Sequence, residues 1–439
     1  MQLTRDQVLA LAPDASSAAN GKKEADVRRW RNLGQSPEAA WGECQGSALY
    51  QVRVDLGTLS VKCTCPSHKF PCKHGLGLML LALDPKSVPT AEPPQWVAEW
   101  LAKRAAANEQ KQEKAARTAT EEPTKEQLKR QERREALVLQ GLDSLDLWLA
   151  DLVRNGLAGL EAQPASFWER QAAQMTDSQA SGVAVRLRQL AGIPGSAPDW
   201  PEKLLNRLGG LTLLSYAYHH ADALDAALRE DVRQLVGWSL KEEEVAARGE
   251  IVADDWLILG QHVEDEDRGR VQRTWLLGAS TGRAALILQF SFMGQPFKET
   301  LVPGVRQHGE LAYWPGASSL RARFVSRAGE ATALDDIRGA ASVETFLSGV
   351  AAALARQPWQ ERFLCALRAV TPICDAGKGA WWVRDDTGAA LPLAAGDHWR
   401  LLAVSGGRPV ALAGEWDGAA LLPLGVVAER VYYPLWEVA

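Results

Sequence analysis

One stretch of the chain has the residue types and spacing for chemistry: Cys63-Thr64-Cys65-Pro66-Ser67-His68-Lys69-Phe70-Pro71-Cys72-Lys73-His74. It reads Cys-x-Cys, six residues, then Cys-x-His. Three thiols and an imidazole are the donor set of a closed tetrahedral zinc site. Three of the 6 cysteines in 439 residues fall within ten positions here, which points to a metal site in a reducing compartment. Cys63, Cys65, Cys72 and His74 are therefore the expected ligands, and Zn2+ the expected cofactor. His68, in the loop between the two pairs, stays open as a competitor for the fourth position. Four protein ligands leave no coordination site for water or substrate, so the metal is expected to fold its unit rather than catalyse.

The flanking sequence has to bring these residues together. Tyr50, Val52 and Val54 alternate with Gln51, Arg53 and Asp55; Gly57 interrupts, and Leu59 and Val61 resume the period of two. That is a hairpin, and if its second strand runs on into Cys63 and Cys65, both sulfurs share a face. The Pro66–Pro71 loop turns the chain back. Cys72 to Leu83 reads as a buried helix stopped by Asp84-Pro85. Cys72 and His74 sit at its start, where the helix dipole favours a thiolate. The pattern predicts a ββα unit around one metal. Upstream, Thr4 and Gln7 form a capping-box pair opening a short helix limited by Pro13. A Gly-Lys-Lys turn is expected at Gly21, then a second short helical stretch carrying Arg28, Arg29 and Trp30.

These residues resemble the SWIM zinc-finger family, whose pattern is Cys-x-Cys, a variable gap, then Cys-x-His in a ββα unit. Trp41-Gly42-Glu43-Cys44-Gln45-Gly46-Ser47 and the two ligand segments look like the bacterial SWIM zinc-finger proteins. Further along, Met175-Thr176-Asp177-Ser178-Gln179-Ala180 and Tyr313-Trp314-Pro315-Gly316-Ala317 are also similar to those proteins, so the resemblance extends over most of the chain. Where the bacterial proteins are expected to carry Arg, this chain has His68. The resemblance implies zinc binding with DNA or protein interaction, and brings no catalytic residues.

The rest of the chain divides by composition. Val88 to Pro94 is a proline-rich exit from the first unit. Residues 103–135 hold ten basic and seven acidic side chains, with Glu113/Arg117 and Glu126/Arg130 at helical pairing distance. They lack an apolar face before Leu128, and Pro123 is expected to break them. From Ala136 to about Ala247 the periodicity is helical. Leu142, Leu145, Leu149, Leu152 and Val153 fall on one face, and Leu204, Leu205, Leu208, Leu211 and Leu214 form another helix after Asp199-Trp200-Pro201. Short β-like runs follow at 256–259, 274–277, 284–292 and 320–325, then helix over 342–370. Residues 381–438 read as an antiparallel meander or small barrel. No repeat of fixed period is visible. The expected fold is α+β: a zinc-finger domain over 1–100, a charged helical linker over 101–136, and a helical domain over 137–250. A β-rich domain over 251–439 completes it, with an inserted helical segment near 342–370.

Other candidates have ordinary explanations. Cys44, Cys365 and Cys374 read as buried thiols. His219-His220 with Asp222 and Asp225 reads as surface helix, His219 and Asp222 being spaced to share a face. Glu264-Asp265-Glu266-Asp267 lacks calcium-loop spacing and reads as a solvated hairpin tip. The 17 tryptophans run from Trp30 to Trp436 and suit packing. Phosphate-cradling and nucleophile-elbow motifs are absent.

A net charge of −5 excludes a uniformly basic nucleic-acid wrapper, though not a local patch. Lys62, Lys69 and Lys73 flank the ligands, with Arg53 on the hairpin, and are the candidate phosphate contacts. Residues 1–100 nonetheless balance, eleven basic side chains against ten acidic. The longest apolar run, Leu76–Leu83, is far short of the roughly 20 residues of a membrane span. Met1–Asp14, with Arg5 and Asp6, lacks the core of a signal peptide. A soluble cytoplasmic, non-enzymatic protein is expected. Another protein is its partner and DNA the alternative, with no membrane and no small-molecule substrate.

Overall fold

Thr4 opens the first helix as a capping box. Its hydroxyl accepts from the Gln7 amide at 3.2 Å, and its own amide donates to the Gln7 side chain at 2.9 Å. The computed structural model of the chain describes residues 3–120, 124–266, 269–292, 295–375, 377 and 379–435. Helix α1 (Arg5–Leu9) leads to α2 (Ala15–Glu24), capped by Asp14. Gly21-Lys22-Lys23 lies inside α2 rather than in a turn. A Cβ on Gly21 would sit 2.8 Å from Leu76 Cβ, so glycine here lets two helices touch. The expected second helical stretch is only one 3-10 turn, Val27–Arg29, and Trp30 already starts a strand.

Four antiparallel strands follow in sequential order: β1 (Trp30–Gln35), β2 (Ala39–Gln45), β3 (Leu49–Asp55) and β4 (Val61–Cys63). The expected hairpin is β3–β4, and two strands precede it. Helix α3 (Lys73–Ala82) packs on one face of this sheet, buried from His74 to Ala82. The start of α4 (Gln95–Thr120) packs on the other, where Val97 joins Ala39 and Trp41. Arg104 of α4 pairs with Asp55 at 3.4 Å and donates to Thr58 and Ser60. The segment read as a linker is thus anchored at its beginning. The Glu113–Arg117 pairing and the break at Pro123 lie outside the described side chains and residues.

The helical middle consists of α5 (Lys125–Asn155), α6 (Ala165–Asp177), α7 (Ser181–Leu190), α8 (Trp200–His219), α9 (Ala226–Val236) and α10 (Glu242–Arg248). Leu142, Leu145, Leu149, Trp168, Met175, Leu187, Leu204, Leu208 and Leu211 form the core of the bundle. Val153 and Leu205 do not join it and are 59% and 54% exposed. They lie on the flank of the periodic face, not at its centre.

The C-terminal part holds two sheets. The first is β5 (Ile251–Glu266), β6 (Gly269–Gly278), β7 (Ala284–Phe292), β8 (Val305–Tyr313) and β9 (Ala322–Ala333), in the order β7-β6-β5-β8-β9. Helix α11 (Val343–Arg356) then ends well before Val370, and Phe363 begins β10 (Phe363–Asp375). The helical expectation over 342–370 therefore holds only for its first half. The second sheet continues with β11 (Ala380–Arg384), β12 (Ala390–Pro392), α12 (Trp399–Ser405), β13 (Val410–Trp416), β14 (Leu421–Ala428) and β15 (Val431–Pro434). Its order is β12-β11-β10-β13-β14-β15.

The two sheets share one connectivity. In each, the first strand pairs with the second and fourth, the second with the third, and the fourth with the fifth. Parallel bridges, Leu286 to Arg321 and Leu393 to Leu421, bring the third strand to the fifth. That is the strand connectivity of an OB-type Greek-key barrel, used twice. The outer face of the first, Leu257, Leu259 and Leu277, packs against Ala366, Ala411, Ala413 and Val427 of the second. The N-terminal unit sits on the first barrel. Val8, Val54 and Leu78 share one core with Trp256, Ile258 and Tyr313, and Gln7 Nε2 donates to Gly304 O at 2.8 Å.

Candidate metal centre

Strand β4 ends in Cys63, and the hairpin register continues one residue further: the Gln51 amide donates to Thr64 Oγ1 at 3.0 Å, and the Thr64 amide to Gln51 O at 3.1 Å. This places Cys65 beside Cys63, whose sulfur accepts from the Cys65 amide at 3.5 Å. Cys72 is the N-cap of α3, and its sulfur accepts from the Gly75 amide at 3.5 Å. His74 lies in the first turn. Helix and strand come together because residue 75 is glycine: a Cβ there would stand 2.5 Å from Val61 Cγ1.

The donor atoms of Cys63, Cys65, Cys72 and His74 all lie within 4.8 Å of one another. Cys63 Sγ and His74 Nδ1 are 3.8 Å apart. Cys72 and His74 are buried, Cys63 and Cys65 half-buried. The Cys63 thiol and the helix start hold the Cys72 thiol down to about 4, while donating to Cys72 pushes Cys63 up and burial pushes Cys65 up. The cluster thus concentrates one thiolate among neighbours crowded at ligand distance. A divalent cation would supply the charge that lets all three sulfurs ionise, and the donor set fits zinc.

His68 is exposed in the loop and stands apart from this convergence. Cys44 is fully buried and donates toward Glu24 Oε2 at 3.7 Å, its thiol pushed up to about 12 by burial. Burial likewise pushes up the Cys365 thiol, whereas Cys374 is only half-buried against the second barrel's core rather than within it. All six cysteines are free.

The basic residues around the site are mostly engaged. Lys69 Nζ lies 2.7 Å from Asp14 Oδ2, and the bond holds the Asp14 carboxyl well below the usual range. Lys73 Nζ lies 2.8 Å from Glu24 Oε1. Arg53 is only 8% exposed, its guanidinium 5.0 and 5.7 Å from the ring centroids of Trp96 and Trp100. Lys62 is exposed. The residue that sequence reasoning missed is Glu24, an acid on a short polar helix with nothing local to mark it. Its side chain is 3% exposed and also meets Arg29 at 3.0 Å.

Elsewhere, His219 faces Asp143 and Asp146 of α5 at 3.5 and 3.8 Å, and Asp222 falls in the turn beyond the helix, so the expected shared face does not form. His262, Glu264 and Glu415 also converge, but arginines already serve them. Arg273 meets Glu264 at 2.6 Å and Arg362 pairs with Glu415. Glu264 is therefore a strand residue in an ionic network, pulled down to about 2 by His262 and Arg273, rather than part of a solvated tip. Asp267 lies outside the described residues. Tyr313-Trp314-Pro315-Gly316-Ala317 forms the β8–β9 connection and docks on α9, the Ala317 amide donating to Asp231 at 2.7 Å.

Residues 50–83 match the family model of the SWIM zinc finger, a span from β3 to the end of α3 that contains all four converging residues. Residues 133–236 match the SWIM-associated four-helix bundle domain, from within α5 to the end of α9. No curated protein and no solved structure matches the chain.

Proposed function

With a SWIM zinc finger and its associated four-helix bundle in one chain, we propose a zinc-binding, non-enzymatic interaction protein whose finger docks another protein. The observation that carries this reading is the convergence of Cys63, Cys65, Cys72 and His74 into a closed donor set. Such a site leaves no coordination position for a substrate. What the finger offers outward also suits a protein partner. Phe70 is 39% exposed in the loop between the ligand pairs, while Lys69 and Lys73 are held by Asp14 and Glu24. The shared core with the first barrel fixes the finger's orientation, so this surface is presented rigidly. A reducing, cytoplasmic compartment goes with a site that needs three thiols.

DNA is the second reading. The twice-used OB-type connectivity favours it, since such barrels host oligonucleotides among other ligands. Metal analysis, with duplex and single-strand binding at two salt concentrations, tests the pair. The proposal expects one zinc per chain and no salt-dependent DNA binding. Tight binding that falls steeply with salt and is lost on Lys62→Glu/Lys69→Glu would replace it with the second reading. A chain that takes up no zinc would remove the first reading and leave the second to the barrels alone.

A further inference from the structure

We propose that Glu24 is a positioning residue for the metal-bearing His74, accepting the proton on its Nε2. The inference rests on the zinc reading and extends it to a residue outside the finger's own span. His74 Nδ1 faces the thiols, 3.8 Å from Cys63 Sγ. Its Nε2, on the far side of the ring, is buried and has no hydrogen-bond partner. A ring nitrogen of His74, a Glu24 carboxylate oxygen and Cys44 Sγ all lie within 4.8 Å of one another.

An imidazole that gives its Nδ1 lone pair to a metal must carry its proton on Nε2, and a buried N–H needs an acceptor. Glu24 is the anionic acceptor within reach. Arg29 and Lys73 hold its carboxylate at 3.0 and 2.8 Å, so it is fixed before the metal arrives. The Tyr50 ring, 5.0 Å from the imidazole, limits the ring's other movement. Hydrogen bonding of this kind fixes the tautomer and strengthens the nitrogen as a ligand.

The charges agree. A divalent cation with three thiolates and a neutral imidazole carries one negative charge, and Glu24 with Arg29 and Lys73 carries one positive charge. Glu24, Cys44 and His74 do not form a second metal site, because two cations already occupy the carboxylate. One consequence is that α2, which ends in Glu24, belongs to the metal unit although it lies upstream of residue 50.

The test uses the full chain loaded with Zn2+ or Co2+, comparing Glu24→Gln and Arg29→Gln with the parent. Long-range 1H–15N spectra of the parent should show His74 metallated at Nδ1 with a slowly exchanging Nε2–H. In Glu24→Gln the Co2+ spectrum should keep its tetrahedral three-sulfur, one-nitrogen form. Zinc affinity should fall about 10- to 100-fold by chelator competition, and the Nε2–H signal should move and exchange faster. Arg29→Gln, which keeps the carboxylate, should retain the signal. Unchanged affinity and an unmoved Nε2–H in Glu24→Gln would overturn the proposal. So would metal on Nε2 in the parent, a result that stands even if the variant fails to fold. A parent chain that binds no metal would instead defeat the zinc reading itself.

Discussion

The ammonium of Lys73 lies 2.8 Å from the Glu24 carboxylate, whose side chain is only 3% exposed. In sequence Lys73 is a cation wedged between two ligands and looks available to a phosphate. In the fold it neutralises a buried acid beneath the cluster of three thiols and an imidazole. Lys69 meets a carboxylate too, but the Asp14 side chain is 36% exposed, and the two pairs differ in consequence.

Lys73→Glu should therefore destabilise the zinc-loaded N-terminal unit by about 1–2 kcal/mol, since it sets a second acid against a buried one. Lys69→Glu should cost less, because an exposed pair is screened by water and salt. Thermal unfolding of the two variants side by side measures this. Equal losses would mean that Glu24 is not the buried partner the geometry makes it.

Cys72→Ala should abolish zinc retention. It removes both a ligand and the atom that caps α3 through the Gly75 amide. His74→Ala should do the same, whereas His68→Ala should keep a full complement of metal. Native mass spectrometry of the three variants separates these outcomes. Zinc lost from His68→Ala and kept in His74→Ala would reassign the fourth ligand to the loop.

The convergence of Cys63, Cys65, Cys72 and His74 was legible because everything that positions it is local: a period of two, a proline-bounded loop, a helix start. Strands β1 and β2 were not, because β2 is buried on both faces between α3 and α4 and shows no alternation at Ala39-Ala40-Trp41-Gly42. The same physics misled the reading of 363–370. Phe363, Cys365 and Leu367 point into the second barrel, while Leu364 and Ala366 pack against the first. A strand apolar on both faces resembles a buried helix. Strand β8 was hidden the opposite way, by an inward Gln307 that satisfies itself on Ala328 O at 3.1 Å. The repeated barrel left no trace because it repeats pairing, not residues. Glu24 was invisible because its role is set by what folds onto it.

Asp231 should make stability depend on pH. Burial in the joint between α9 and the β8–β9 connection raises its carboxyl from 3.8 to about 6. Glycine is required opposite, since a Cβ on Gly316 would stand 2.1 Å from Asp231 Oδ1. Below about pH 4 both folded and unfolded chains hold the proton, and the joint's stability is fully present. Between about pH 4 and 6 only the folded chain holds it, so stability falls as pH rises, and above about 6 the loss is complete. Asp231→Asn removes the charge and keeps an oxygen to accept from the Ala317 amide. It should stabilise the chain by up to about 3 kcal/mol at pH 8 and by almost nothing at pH 4. Denaturation midpoints at the two pH values decide it. An equal effect at both would show that the carboxylate's charge is not what the joint resists.

Glu415 tests whether the two barrels act as one body. Its side chain is 1% exposed, and its two oxygens are served from different directions: Trp275 Nε1 of the first barrel donates at 2.8 Å, and Arg362 pairs with the other. Arg362→Ala leaves a buried carboxylate without its cation, and should cost about 3 kcal/mol. Glu415→Leu alone should cost less, since it leaves a half-exposed arginine in water and an indole N–H without an acceptor. Combining Arg362→Met with Glu415→Leu should recover most of the loss, because it removes the charge and its partner together while keeping apolar volume at the seam. Hydrogen exchange should then report the same pattern at Trp275 as at Trp416. If Arg362→Ala loosened only the second barrel and left exchange in β6 unchanged, the seam would be a contact between independent domains, and the finger's fixed orientation would extend no further than the first.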